Sequence, residues 1–269
     1  MEKLKIMSCH WSMNEYAIVL SQKLGITLIQ GNLEPKDGDV YIVLGGQHAS
    51  SALINLQRNH KVGFIIYNSE TVFRDKYYLQ LLKSNPVFDA EQSTTDILKK
   101  EHGINVLSHY FYEFIKVEGS PKSVDIGIIT KEDTELVARL KAKNPEKVIK
   151  HVLWKDIKNP KELKELMSSF KTYVNIYEGS FNSYMINQAL ACGCRVVSHN
   201  QADSYTLKFY DDYLTTRDIL EEYISSSDSI EEHDFSSNED FKPYDELIKQ
   251  LTRMMTGHNH CILSRIIKC

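Results

Sequence analysis

Residues 173–200 read YVNIYEGSFNSYMINQALACGCRVVSHN. An apolar run at 173–177 ends in Glu178-Gly179, and a helix pattern follows through 185–191. Cys192-Gly193-Cys194 makes a glycine turn into a second apolar strand at 195–198. Strand, short loop, helix, turn and strand in that order make the βαβ unit of a parallel sheet. In an open α/β sheet, ligands sit beyond the carboxyl ends of strands, and helix N-termini there attract anions. The loop between the first strand and the helix is thus a candidate for holding a diphosphate and the sugar attached to it.

Outward from this segment the same alternation continues. In the first half, strands are expected at 3–7, 26–30, 40–44, 62–67, 86–88 and 105–107, and helices at 13–24, 49–58, 71–83 and 94–100. The apolar runs lack a period of two, as in strands buried on both faces of a parallel sheet. Gly119-Ser120-Pro121 is the strongest break in the pattern and the expected linker. Beyond it the alternation restarts, with strands at 124–129 and 148–153 and helices at 132–142 and 160–168. Residues 225–240, rich in Ser, Asp and Glu, read as an exposed loop. Residues 244–255 read as a helix with Leu247, Leu251 and Met254 on one face. The expected fold class is α/β, with two Rossmann-like domains, 1–117 and 118–269, facing across a cleft, a common setting for ligands.

The chain has 269 residues, 42% hydrophobic and 25% charged, with a net charge of −4. That composition is globular, and the negative balance argues against holding nucleic acid by total charge alone. A local basic face remains open, from Arg58, Lys61, Lys76, Lys83, Lys99 and Lys100. The opening Met1-Glu2-Lys3-Leu4-Lys5 does not read as a signal peptide, and no apolar run approaches the ~20 residues that span a bilayer. Five cysteines, an odd number set in or beside buried elements, read as free thiols in a reducing compartment. The expected location is cytoplasmic. Cys192-Gly193-Cys194 has no second pair, and the spacing of His258, His260, Cys261 and Cys269 fits no usual zinc pattern. No metal site is expected.

The 173–200 segment resembles the nucleotide-sugar site of GT-B-fold glycosyltransferases, where E-G-…-E-A-L-A-x-G-x-x-V-V recurs. It is closer to a compact viral and bacterial branch reading roughly N-I-H-Y-Y-E-…-L-E-x-x-R-I-N-E-A-L-x-x-G-C-x-V-V-S-E. Asn175, Tyr177, Glu178, Ile186, Asn187, Ala189, Leu190, Gly193, Cys194, Val196, Val197 and Ser198 match it. Asn182 and Gln188 stand at two glutamate positions, and His199 replaces the last glutamate. An amide can hydrogen-bond a ribose hydroxyl but cannot act as a carboxylate base. In the first half, Asn68-Ser69-Glu70 resembles the N-x-E that ends a central strand in the same branch. Val87-Phe88-Asp89 resembles its W-D-Y-S-x-x-N element, from which Ala90 and Glu91 depart.

The resemblance implies a GT-B-like glycosyltransferase, moving a hexose or pentose from a nucleotide-diphosphate donor to an acceptor hydroxyl. It implies an N-terminal domain on the acceptor side and a C-terminal donor domain whose last helix crosses back. The acceptor would be a glycan or a sugar on modified DNA, in the host cytoplasm if the chain is viral. No cofactor is expected beyond the donor, and no D-x-D motif asks for a divalent ion. Donor contacts implied by likeness or by position after a strand are Thr130, Lys131, Glu178, Gly179, Ser180, Phe181, Asn182, Asn187 and Gln188. Thr130 reads as a helix cap or phosphate donor and Lys131 as a phosphate partner. Gln188 takes the place of the family's ribose-binding glutamate, and Asp203 is a further candidate for sugar contact. A catalytic base would come from the ends of first-half strands. His10 is the first choice and Glu70 the second, with His48 after Gly45-Gly46 a third.

Two other classes stay open. Loss of both motif glutamates also suits a non-catalytic nucleotide-sugar-binding subunit. An epimerase-like enzyme acting on sugar nucleotides is another, although Met7-Ser8-Cys9-His10 stands where a redox enzyme would carry G-x-G-x-x-G. Sugar, base, acceptor, stereochemistry and oligomeric state are not legible in the sequence.

Overall fold

The computed structural model describes residues 4–29, 35–70, 73–89, 91–108, 115, 117, 119–132, 135–176, 182–198 and 248–253. The chain divides into two compact units, Met1–Phe111 with Asn238–Cys269, and Tyr112–Ser237.

In the first unit β1 (Leu4–Ser8), β2 (Thr27–Ile29), β3 (Val40–Leu44), β4 (Gly63–Asn68), β5 (Val87–Asp89) and β6 (Val106–Ser108) form one sheet. Its order is β2-β1-β3-β4-β5-β6, with every pair parallel. The helices between strands are α1 (Asn14–Leu24), α2 (Ser50–Asn59), α3 (Lys76–Ser84) and α4 (Gln92–His102). Every residue of β3 and β4 is buried, which explains their unbroken apolar runs VYIVL and GFIIYN. Tyr41, Val43, Phe64, Ile66, Tyr78, Leu81 and Leu82 share one core cluster. Burial of each such side chain contributes about 1.5–3 kcal/mol. Helix α3 starts later than the expected 71, because Asp75 is extended and its carboxylate accepts from the Tyr77 N–H at 2.9 Å. That N-cap satisfies one of the unpaired donors of the first turn.

Two features of this sheet place its loops. The chain leaves β1 for β2 on one side and returns to β3 on the other, so the strand order reverses between β1 and β3. In such sheets that reversal is where ligands bind. Ser8 pairs with Leu44, and Leu44 with Tyr67, so β1, β3 and β4 end level and their following loops leave one edge side by side.

The second unit has β7 (Val124–Thr130), β8 (Ile149–Leu153), β9 (Phe170–Asn175) and β10 (Arg195–Ser198), parallel in the order β10-β9-β7-β8. Its helices are α5 (Glu135–Lys143), α6 (Pro160–Ser168) and α7 (Asn182–Ala191). Ile126, Ile128, Val137, Leu140, Val174 and Val197 form its core. Asn159 caps α6 by accepting from the Glu162 N–H at 2.9 Å, while the Glu162 carboxylate reaches back to the Lys158 N–H at 2.9 Å, a variant of the capping box. Strand β9 begins at 170 rather than the expected 173, because Phe170 is fully buried and pairs with Val124. Its ring fills the space over Gly127, where any Cβ would lie 2.0 Å from it. Helix α7 begins at Asn182 rather than 185, since its polar first turn, Asn182-Ser183, carries no apolar period.

Among the described residues no helix is long and apolar enough to cross a membrane. The expected loop at 225–240 lies outside the described residues, and of the expected helix at 244–255 only 248–253, which are helical, lie within them.

Candidate functional site

At the carboxyl rim of the first unit, three of the expected residues belong to the three level-ending strands. His10 follows β1, His48 follows β3 and Glu70 follows β4. The rings of His10 and His48 stack, with centroids 4.0 Å apart and planes 17° from parallel. Gly45 makes this approach possible. Its φ is +69°, and a Cβ there would stand 3.2 Å from the His10 Cβ. Trp11 lies beside His10, ring centroids 5.2 Å apart.

The His10 side chain caps the short 3-10 helix Trp11–Met13: its Nδ1 accepts from the Ser12 N–H at 3.3 Å. The Ser12 hydroxyl lies 2.7 Å from the same nitrogen. A backbone N–H can only donate, so Nδ1 carries no proton and the neutral ring holds its hydrogen on Nε2. Protonating Nδ1 would set two donors against each other. Burial holds His10 below the ordinary histidine pKa, and the neighbouring His48 adds to this. Burial also lowers His48, opposed by the charge of Glu70. Both rings are thus neutral at pH 7, and His10 offers a hydrogen-bond donor rather than a lone pair. In this arrangement His10 would enter a reaction through its Nε2–H, as a hydrogen-bond donor.

The turn carrying Glu70 is held by Asn68, 1% exposed at the end of β4. The Asn68 amide donates to Glu70 O at 2.8 Å and to Asp89 Oδ2 at 2.6 Å. Its carbonyl oxygen accepts from Tyr78 OH at 2.7 Å and from the Glu70 N–H at 3.4 Å. A second tie crosses between loops, from Gln47 Nε2 to Ser69 Oγ at 2.9 Å. Gln47 adjoins His48 and Ser69 adjoins Glu70, so the bridge joins the two loops one residue away from each candidate. The role of Asn68 is hidden in sequence, although Asn-Ser-Glu after a buried strand is the pattern of an Asx turn.

In the second unit the strand order reverses between β7 and β9. Thr130, at the end of β7, is 3% exposed, and its Oγ1 lies 2.6 Å from Glu132 O and 2.6 Å from His151 Nε2. A carbonyl can only accept, so the single hydroxyl proton goes to Glu132 and His151 donates. Thr130 closes the turn after β7, its hydroxyl proton engaged by the Glu132 carbonyl. Lys131 follows it and is exposed. Asn182 opens α7; Glu178, Gly179, Ser180, Phe181 and Asp203 lie outside the described residues.

Asn187 and Gln188 are 6% and 2% exposed on α7. Among the described residues Asn187 Nδ2 and Gln188 Nε2 have no hydrogen-bond partner. Gln188 lies beside the Cys192 thiol, which burial pushes up in pKa against the weaker pull of Ser168 and Gln188. A thiol is a poor acceptor and leaves that amide short of a partner. Cys194 is pushed to about 12 by burial, with its Sγ 3.1 Å from Met167 O. Lys122 Nζ caps the end of α7 through Cys192 O at 2.5 Å. These cysteines are structural. Among the described residues no group of three or more His, Cys, Asp or Glu is placed to hold a metal ion.

No family model and no curated protein matches the chain. Among solved structures it is similar to the GtfA/B complex, 14% identical, covering 87% of this chain and 56% of that one with a TM-score of 0.36. It is also similar to the pneumococcal O-GlcNAc transferase GtfA in complex with UDP and GlcNAc. There the identity is 10%, the coverage 94% of this chain and 56% of that one, and the TM-score 0.42. The chain spans just over half the length of each.

Proposed function

We propose that the protein is a glycosyltransferase moving a sugar from a nucleotide diphosphate to an acceptor hydroxyl. One observation carries the reading. Helix α7 buries two amides whose nitrogens have no partner among the described residues, at the positions where the sequence motif resembles a donor site. Burying an amide without a hydrogen bond costs about 1–3 kcal/mol. A bound ribose or sugar hydroxyl would meet that need. The second unit then holds a donor hydroxyl through one of these two α7 amides, Gln188 being the first choice, with Lys131 as the phosphate partner. No cofactor beyond the donor is invoked.

The first unit supplies the acceptor side. His10 donates from Nε2 to the acceptor oxygen, and the Glu70 carboxylate takes the acceptor proton. A new bond forms between that oxygen and the anomeric carbon. The bond from the anomeric carbon to the diphosphate breaks, and its electron pair leaves with the nucleotide. General-base help of this kind is worth roughly 10²–10⁴-fold. The acceptor class is a glycan or a sugar on modified DNA, as the motif resemblance suggests.

A thermal-shift panel of uridine, guanosine and adenosine diphosphate sugars tests donor binding, because a ligand of the folded state raises its stability by mass action. One nucleotide should stabilise the protein, and none doing so would overturn the reading. Release of nucleoside diphosphate with acceptor separates a transferase from a binding subunit. The anomeric configuration of the product, by NMR, then shows whether a base is needed. Inversion requires one; retention would leave Glu70 only to orient the acceptor.

A further inference from the structure

We infer that Asn68 is a positioning residue that fixes the Glu70 carboxylate beside His48, and that the rim of the first unit depends on this clamp. The functional half of the inference rests on the transferase reading above; the structural half does not.

Asn68 has two donor hydrogens and an acceptor oxygen with room for two bonds, and the structure fills all four. Two of the four go to the backbone of Glu70, at its N–H and its carbonyl. The other two anchor the amide to groups from different elements, Tyr78 of α3 and Asp89 of β5. Asp89 is itself fixed, since its Oδ1 accepts from the Glu91 N–H at 2.8 Å. A fully bonded buried amide has one orientation and holds its partners in one place. The peptide of Glu70 is therefore referenced to the sheet core rather than to a surface loop. The Gln47–Ser69 bridge draws the neighbouring loop, with His48, against the same turn.

Several neighbouring titratable groups bear on the charge of this cluster. Glu70 acts on His48, and His48 acts on His10. Tyr78 is held well above its ordinary value by burial first, then by Asp89 and Glu70. Cys9 is pushed to about 11 by burial and stays a neutral thiol. Glu70 is the group that favours the protonated form of His48, so His48 reports where the Glu70 carboxylate is.

The experiment titrates His48 by NMR in the full chain, without substrate. Glu70→Gln should lower the His48 midpoint by about half a pH unit, the size expected of one partly screened charge. Asn68→Ala should lower it in the same direction by a comparable amount. In the Glu70→Gln background, Asn68→Ala should lower it no further. Asn68→Ala leaves the buried Asp89 carboxylate without its amide donor, a threat to folding. The comparison is therefore repeated within Asp89→Asn, where the charge is gone. An unchanged His48 midpoint in a folded Asn68→Ala protein overturns the inference, as does a drop that persists without Glu70. With substrate, Asn68→Ala should cut turnover about tenfold, and not at all once Glu70 is Gln. If the titration behaves as stated but Glu70→Gln leaves turnover intact, the clamp stands and the proposed role of Glu70 falls.

Discussion

His10 and His48, from loops after β1 and β3, stack with their ring centroids 4.0 Å apart. Two imidazolium rings at that spacing would repel, so a charge on His48 disfavours a charge on His10. His10 lies below its ordinary pKa through burial first and His48 second. His48→Phe keeps a flat ring against His10 and removes the second cause. The His10 midpoint by NMR should then rise while remaining below the usual 6.5, because burial and the Ser12 cap persist. A His10 midpoint unmoved by the substitution would show the rings do not sense each other.

The depressed histidines have a consequence for stability. Below about 6.5 the unfolded chain takes up protons that the folded rim resists, so it binds more protons than the folded state. Stability should therefore fall with falling pH from about 6.5 toward the folded midpoints. Replacing both rings by Phe should flatten that slope in denaturant titrations between pH 7 and 5. An equal slope in the double variant would place the loss elsewhere.

Gly45→Ala tests the geometry that brings the rings together. The residue has φ +69°, and its new Cβ would press on the His10 Cβ at 3.2 Å. Left-handed strain in a non-glycine residue costs about 1–2 kcal/mol. A loss of that size in urea unfolding is expected, with the His10 midpoint moving up as the ring is displaced.

Much of this frame was legible in sequence, for identifiable reasons. β3 and β4 are buried on both faces, so their apolar runs are unbroken and their limits lie within a residue of expectation. Strand ends in a parallel sheet point to one rim, so His10, His48 and Glu70 were legible in sequence as rim residues. The tautomer of His10 was not, because it depends on one backbone N–H in a 3-10 turn with no apolar signature. Nor was the use of the Thr130 hydroxyl, which depends on His151 from the neighbouring strand and the carbonyl of Glu132. The start of α3 depended on Asp75 as a cap, whereas apolar periodicity alone points to an earlier residue.

Asp39 should make the first unit sensitive to acid. The residue is 5% exposed, and its Oδ2 accepts from Lys5 Nζ at 2.6 Å, Tyr41 OH at 2.9 Å and the Lys36 N–H at 3.1 Å. Burial works to raise its pKa, but the hydrogen bonds and the Lys5 charge outweigh that and lower it. A depressed carboxylate stabilises the fold above its unfolded pKa of about 3.9, and the contribution is lost as pH falls through the folded value. Asp39→Asn should cost about 1–3 kcal/mol at pH 7. The gap to the native protein should close below about pH 4, and a constant gap would mean charge is not its source.

Gly127→Ala probes the second sheet. The added methyl would stand 2.0 Å from the buried Phe170 ring, which has no exposed end to swing away. Overpacking of this kind costs about 1–3 kcal/mol or more. Shortening the ring in Gly127→Ala/Phe170→Leu should recover part of the loss. Equal instability of the single and double variants would show that the clash is not with Phe170.

Gln188→Leu separates a ligand contact from a structural one by the sign of its effect on stability. Gln188 is 2% exposed, and its Nε2 lacks a hydrogen-bond partner among the described residues. If a donor hydroxyl is its partner, the unliganded protein carries an unmet amide that leucine relieves at similar volume. Stability without ligand should then stay level or rise by about 1 kcal/mol. Nucleotide-sugar affinity should fall by 1–3 kcal/mol, roughly 5- to 150-fold in Kd by calorimetry. If the amide instead serves the fold through the Cys192 thiol, leucine should destabilise the free protein and leave Kd unchanged. Loss of stability with unaltered affinity would remove Gln188 from the donor site, and with it the observation on which the transferase reading most depends.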